Sequence, residues 1–106
     1  MQCTRCRFFI YAQLCLGMEK KDEKLVARVS GTVLFEKRKE RFRIDRRFSQ
    51  EKFAEKCGLH RTTISAFERG VLEPKLSTII QIAKALEISP GEFVDEVTRR
   101  VEASQG

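Results

Sequence analysis

The chain is poor in the residues that build catalytic centres. Histidine occurs once, at position 60, and the 106 residues show no glycine-rich phosphate loop and no clustered acid/base set. An enzyme is therefore not expected. Two prolines and six glycines are too few for a linker-rich or collagenous chain. Of the four cysteines, Cys3 and Cys6 form one CxxC pair, but the second pair that a four-ligand zinc site needs is missing. Cys57 and His60 would complete a set only if the N-terminus folded back over them. The expectation is reduced thiols, no metal and no cofactor, with Cys57 a small apolar core residue. The apolar stretch 8–17, FFIYAQLCLG, follows Arg5 and Arg7 in the outline of a signal peptide. It is too short to span a bilayer, and no small-residue cleavage site follows it. Met18 opens the charged run MEKKDEK, which has the look of a natural start. Residues 1–17 are accordingly expected to be an upstream extension, and the protein cytoplasmic.

What is present suits one small domain. A hydrophobic content of 42% supports a single core, and the length leaves no room for a separate sensor domain of ordinary size. The net charge is +6, unevenly spread. Residues 1–69 hold 17 Lys/Arg against 9 Asp/Glu, whereas residues 70–106 hold 4 against 6. One end of the molecule is thus suited to an anionic partner such as phosphate, the other to protein.

Apolar residues recur with helical spacing, and alternating runs are few, so the fold class is all-α. Residues 25–34, LVARVSGTVL, fit a strand or a helical lead-in, with Ser30 a cap or part of a turn. Residues 33–46 read as a first helix carrying Phe35 and Phe42 on one face, beside Leu34 and Arg38. Ser49 caps a helix over 50–57, and Gly58 stops it where a left-handed backbone costs little. A third helix runs over 61–68 and ends at Gly70. Pro74 holds 71–76 as a loop. Ser77 is expected to cap a fourth helix over 78–86. Ser89-Pro90-Gly91-Glu92 has the form of a capping box opening a fifth, which runs to about residue 102. The domain is placed at 31–103, preceded by an extension over 1–30.

Two short helices joined through Gly58 have the shape of a helix-turn-helix. Such a unit braces its first helix across a nucleic-acid backbone and lays the second in the major groove. Ala54, Gly58, Leu59, Ile64 and Phe67 supply its packing and turn. His60, Arg61, Thr62, Thr63 and Ser65 supply hydrogen-bonding side chains on the second helix.

The elements Ser49-Gln50-Glu51, Phe53-Ala54, Gly58-Leu59, Thr63-Ile64-Ser65, Glu68-Arg69-Gly70, Pro74 and Ile82-Ala83-Lys84-Ala85-Leu86 occur in this order. With them, residues 35–93 resemble the phage-repressor/Cro-like, or Xre, helix-turn-helix family. Gly58-Leu59-His60-Arg61-Thr62 is most similar to the restriction–modification controllers within it. The resemblance implies a five-helix lambda-repressor-like DNA-binding bundle that regulates transcription in bacteria, phages or plasmids, associated with the nucleoid. By position it implies that Arg61, Thr62, Ser65 and Ala66 face base edges and that Gln50, His60, Thr63 and Lys75 meet phosphates. It also implies a structural ion pair between Arg43 and Glu68. Lys39 departs from the family, which favours an apolar residue there.

One short helix reads few base pairs, and the family answers with a two-fold dimer whose recognition helices lie about 34 Å apart on a near-palindromic operator. The stripe formed by Phe93, Val94, Val97 and Val101 suggests the seam. Phe93 is assigned to the core, and Ile88, Val94, Val97 and Val101 to the interface. The competing expectation is an antitoxin that holds a toxin protein and regulates its own operon through the same motif.

Overall fold

The fold is taken from a computed structural model that describes residues 20–105. The apolar stretch 8–17, the Cys3/Cys6 pair and the start at Met18 lie outside the described residues. Five α-helices and one 3-10 turn make up the described chain: α1 (Lys20–Phe42), the turn Arg46–Phe48, α2 (Gln50–Cys57), α3 (Arg61–Glu68), α4 (Leu76–Leu86) and α5 (Pro90–Gln105). One hydrophobic cluster joins all the helices, with Val33 and Leu34 of α1, Phe53 of α2, Ile64 of α3, Ile82 and Leu86 of α4 and Phe93 of α5 at its centre.

Helix α1 differs from expectation at both ends. It starts well before residue 33 and runs unbroken through 30/31, where the extension was expected to meet the domain. Asp22 and Glu23 in its first turn and Lys39 and Arg41 in its last match the helix dipole. The ambiguous run 25–34 is helical because tertiary contact covers it. Ala27, Ser30, Gly31, Val33, Leu34 and Arg38 are all buried. Ser30 is therefore a helix-interior residue, neither cap nor turn. At the other end, the helix stops at Phe42 instead of 46. The Asp45 carboxylate accepts from the backbone N–H of Arg47 at 2.9 Å and caps the 3-10 turn instead.

The inward face of α1 is also rotated from the one anticipated. Phe35 is 42% exposed, while Leu34 and Arg38 point inward. Lys39 lies on the outer face, with its ammonium 5.6 Å from the Phe35 ring centre and 5.5 Å from that of Phe42. Its departure from the family's apolar preference therefore leaves the core intact.

Local signals set the remaining boundaries. The Ser49 hydroxyl accepts from the N–H of Lys52, and that of Ser89 from the N–H of Glu92. Gly58 sits at φ +70, with its own N–H donating to the Glu55 carbonyl and that of Leu59 to the Ala54 carbonyl. This pattern satisfies the free carbonyls at the end of α2 and needs a left-handed residue. Open space surrounds the position, so conformation is what favours glycine there. Helix α4 starts at Leu76, two residues before the expected start, with Lys75 in the cap position and Ser77 inside the first turn. The preference for a serine cap is worth only about 1 kcal/mol. It yields here to a chain held by the buried Pro74.

Helix α5 closes the core against α1. Leu25, Val29 and Thr32 line a groove together with Arg100, Ala103 and Ser104. Arg100 reaches Glu36 of α1 at 2.8 Å and Glu96 of its own helix at 2.7 Å. This contact corrects two residues of the expected dimer seam. Val97 and Val101 are 8% and 6% exposed within a single chain, so they belong to its core. Val94 stays exposed, as does Ile80 of α4.

Candidate nucleic-acid interface

Helices α2 and α3 pack together through a shared core. Phe53, Ala54 and Cys57 of α2 and Ile64 and Phe67 of α3 are buried. Cys57 is a core residue as expected, and burial pushes its thiol up to about 11, so it stays protonated and inert. With Ile64 and Phe67 turned inward, the helical period turns Thr62, Ser65 and Ala66 to the opposite side. His60, Arg61 and Thr62 are exposed, and Thr63, Ser65 and Ala66 half-buried. His60 occupies the N-cap of α3 without a side-chain cap bond. The four expected base-facing residues therefore lie on one helix flank with the expected phosphate residues His60 and Thr63 around its start. Lys75 is exposed at the start of α4.

The far end of α3 is anchored by a buried polar cluster. Glu68 receives Arg38 Nε on Oε2 at 2.5 Å and Arg38 Nη2 on Oε1 at 3.0 Å. The two side chains are 5% and 4% exposed. The remaining prong of Arg38, Nη1, donates to the Phe48 carbonyl at 3.0 Å. Gln50 Nε2 donates to Glu68 Oε1 at 2.9 Å. The cluster thus ties α1, the 3-10 turn, the first residue of α2 and the last of α3 to one carboxylate. This corrects the expected Arg43–Glu68 pair: Arg38 is the partner, and Arg43 is exposed. The turn over 43–48 puts more chain between α1 and α2 than the position-by-position reading allowed. The arginine that faces Glu68 consequently lies five residues earlier.

Two further features were not anticipated. Gly31 of α1 passes so close to the end of α3 that an added Cβ would lie 2.1 Å from the Phe67 carbonyl oxygen and 3.0 Å from that of Glu68. Helix α1 is thus packed backbone to backbone on the end of α3. Arg69 is exposed, and its spacing of seven and four from Thr62 and Ser65 puts it on their flank. That spacing was legible in the sequence.

The cations divide by location. Arg99 and Arg100 of α5 are both held by Glu96, and Arg41 by Glu87. Glu96 is drawn down to about 2, first by its hydrogen bond from Arg99 and then by that from Arg100. Among the described residues, the side chains of Arg61, Arg69 and Lys75 have neither a carboxylate nor a hydrogen-bond partner. Positive charge is thus neutralised on α5 and left open around α3. No cluster of potential metal ligands occurs among the described residues, and none of their helices is long and apolar enough to cross a membrane.

Comparison with known proteins agrees with this geometry. The family model described as helix-turn-helix matches residues 40–93. The chain is 48% identical over 50 residues to control protein C.BamHI of Bacillus amyloliquefaciens, over 47% of this chain and 62% of that protein. It is 44% identical over 48 residues to a hypothetical transcription factor of Neisseria meningitidis serogroup B, over 45% of each chain. The chain therefore spans less than two thirds of either relative. The family match runs from the end of α1 to Phe93 and takes in the whole α2–turn–α3 unit. The chain belongs to the helix-turn-helix family, and within it to the phage-repressor/Cro-like, or Xre, type.

Proposed function

We propose that the protein is a sequence-specific double-stranded DNA-binding transcriptional regulator that lays α3 in the major groove. One observation carries this reading: an exposed hydrogen-bonding helix flank, surrounded by the unpaired cations Arg61, Arg69 and Lys75, stands on a braced helix pair. Such a surface offers little to a neutral ligand and much to a polyanion. In this reading Arg61, Thr62, Ser65 and Ala66 address base edges, with Arg61 suited to the paired acceptors of guanine and Thr62 to a thymine methyl. His60, Thr63 and Lys75 address phosphates, as does Gln50. The Gln50 amide nitrogen already gives one hydrogen to Glu68, so it meets phosphate through its second hydrogen or its backbone N–H.

The regulator acts in the cytoplasm, on the nucleoid, as a homodimer on a near-palindromic site. Its seam uses the exposed Val94 and Ile80 with the half-buried Ile88. The likeness to a protein named a control protein favours the controller type over an antitoxin.

Selection of bound duplexes from a random pool tests the reading. A palindromic motif is expected. Arg61→Ala should relax one base pair per half-site, with a loss of about 1–3 kcal/mol of discrimination. Failure to enrich any motif would overturn the reading. Co-purification of a toxin encoded by the neighbouring gene would move it to the antitoxin.

A further inference from the structure

Between α1 and α2 the chain makes a turn that a helix-turn-helix does not require. Residues 43–47 read Arg-Ile-Asp-Arg-Arg, three cations and one anion. The anion is engaged internally. Asp45 accepts from the Arg47 backbone N–H at 2.9 Å and pairs with the Arg47 guanidinium at 2.9 Å. Arg43 and Arg46 remain. Arg43 is exposed and, among the described residues, its guanidinium has no hydrogen-bond or ionic partner. Arg46 is exposed too, with its guanidinium 4.6 Å from the centre of the Phe42 ring. Beside them Lys56 of α2 lies 4.2 Å from the centre of the Phe48 ring. Aromatic rings hold the Arg46 and Lys56 charges in place without neutralising them, which lowers the entropy lost when they meet an anion.

The turn leads through Ser49 directly into Gln50, the first residue of the bracing helix. That end of the helix lies at the DNA backbone in the proposed mode of binding. Four residue steps of 3-10 turn and extended chain lead from the Arg46 to the Gln50 backbone, a distance of about 11 Å at most. A long side chain on this turn therefore addresses phosphates flanking the one at Gln50.

We propose that Arg43 and Arg46, with Lys56 beside them, form a second phosphate clamp that extends the contact along the DNA backbone outside the bases read by α3. The clamp rests on the DNA-binding reading and deepens it. It raises affinity for any duplex and steepens the salt dependence without adding sequence discrimination.

The test measures affinity of the full chain for its selected duplex and a scrambled one across a salt series. Arg43→Ala combined with Arg46→Ala should weaken both by the same factor. The slope of log affinity against log salt should shrink by about 2. Arg43→Lys with Arg46→Lys should retain most of the slope, and Arg99→Ala on α5 should leave it unchanged. An unaltered slope in the alanine pair, while the wild type still binds, would overturn the clamp and leave DNA binding intact. A loss confined to the selected duplex would overturn it as well, making the arginines base readers. A shift in sedimentation on Ile44→Ser, with DNA affinity unmoved in the alanine pair, would make the turn a protein-docking surface instead. A wild-type chain that binds neither duplex would remove the DNA-binding reading itself.

Discussion

Arg38 and Glu68, thirty residues apart in sequence, meet in a two-pronged ion pair whose side chains are 5% and 4% exposed. Each satisfies a neighbour as well: Arg38 the Phe48 carbonyl, Glu68 the Gln50 amide. Isolated, either charge would be costly at this depth. Arg38→Met or Glu68→Gln should lower the unfolding free energy by about 3–5 kcal/mol in urea titrations. Arg43→Ala should change it by no more than about 0.5 kcal/mol, since that side chain stands in solvent. The contrast between the two arginines distinguishes the observed pair from the one that family position suggested.

Gly31→Ala reverses a familiar sign. In an exposed helix interior the change would gain about 1 kcal/mol. Here the new methyl would stand 2.1 Å from the Phe67 carbonyl oxygen, and α1 would have to withdraw from α3. A net loss of about 1–3 kcal/mol is expected. Thermal melting gives the sign directly, and a raised midpoint would mean that the two backbones do not meet so closely.

Val97 and Val94 should behave differently when replaced by glutamate. Val97 is 8% exposed in the single chain, so Val97→Glu buries a charge and should cost about 3 kcal/mol or more of stability. Val94 is 39% exposed, and Val94→Glu should leave stability within about 0.5 kcal/mol. If Val94 belongs to the dimer seam, that variant should sediment as a monomer. Far-UV circular dichroism with sedimentation separates loss of fold from loss of assembly.

Acid should loosen the junction of α1 with α5. The Glu96 carboxyl is held near 2, against an ordinary 4.5, by Arg99 and then Arg100. The Glu36 carboxyl is lowered chiefly by its hydrogen bond from Arg100. A carboxyl lowered in the folded state adds stability above its unfolded value, and that stability disappears as pH falls toward its folded value. The contribution of Glu96 is therefore complete above pH 4.5 and is lost on the way down to about 2. Glu96→Gln should flatten the fall in urea midpoint between about pH 5 and about pH 3. An equally steep fall in the variant would place the acid sensitivity elsewhere.

The helix-turn-helix was legible because its signals are local. Ser49, Gly58 and Pro90 each fix a boundary through the backbone beside them, and α2 and α3 begin and end at the expected residues. What was not legible depends on distant parts of the chain. Residues 25–34 are helical because α3 and α5 cover them, a fact that their β-branched composition obscures. Choosing Arg38 over Arg43 required the path of the turn at 43–48, which no periodicity encodes. Val97 and Val101 form a plausible surface stripe until α1 is known to lie over α5. Among the expected contact residues, those on α3 came from position in the family resemblance, and the helical period accounts for their sharing one flank opposite Ile64 and Phe67. The free charges at Arg43 and Arg69 emerge only when the paired arginines are known.

The partnership of α1 with α5 also bears on the order in which the chain matures. Synthesis releases the first helix early and the last helix at the end, yet Val33, Leu34, Phe93, Val97 and Val101 share one cluster. Contacts so far apart in sequence are slow to form, and they leave apolar surface uncovered while they wait. Residues 49–69 leave the ribosome long before their scaffold is complete. Helix α1, which holds α3 through Gly31 and Arg38, gains its full cover only when α5 arrives. A message truncated between α4 and α5 would therefore encode the whole of α2 and α3 and still lack Phe93, Val97 and Val101, which close the core against α1.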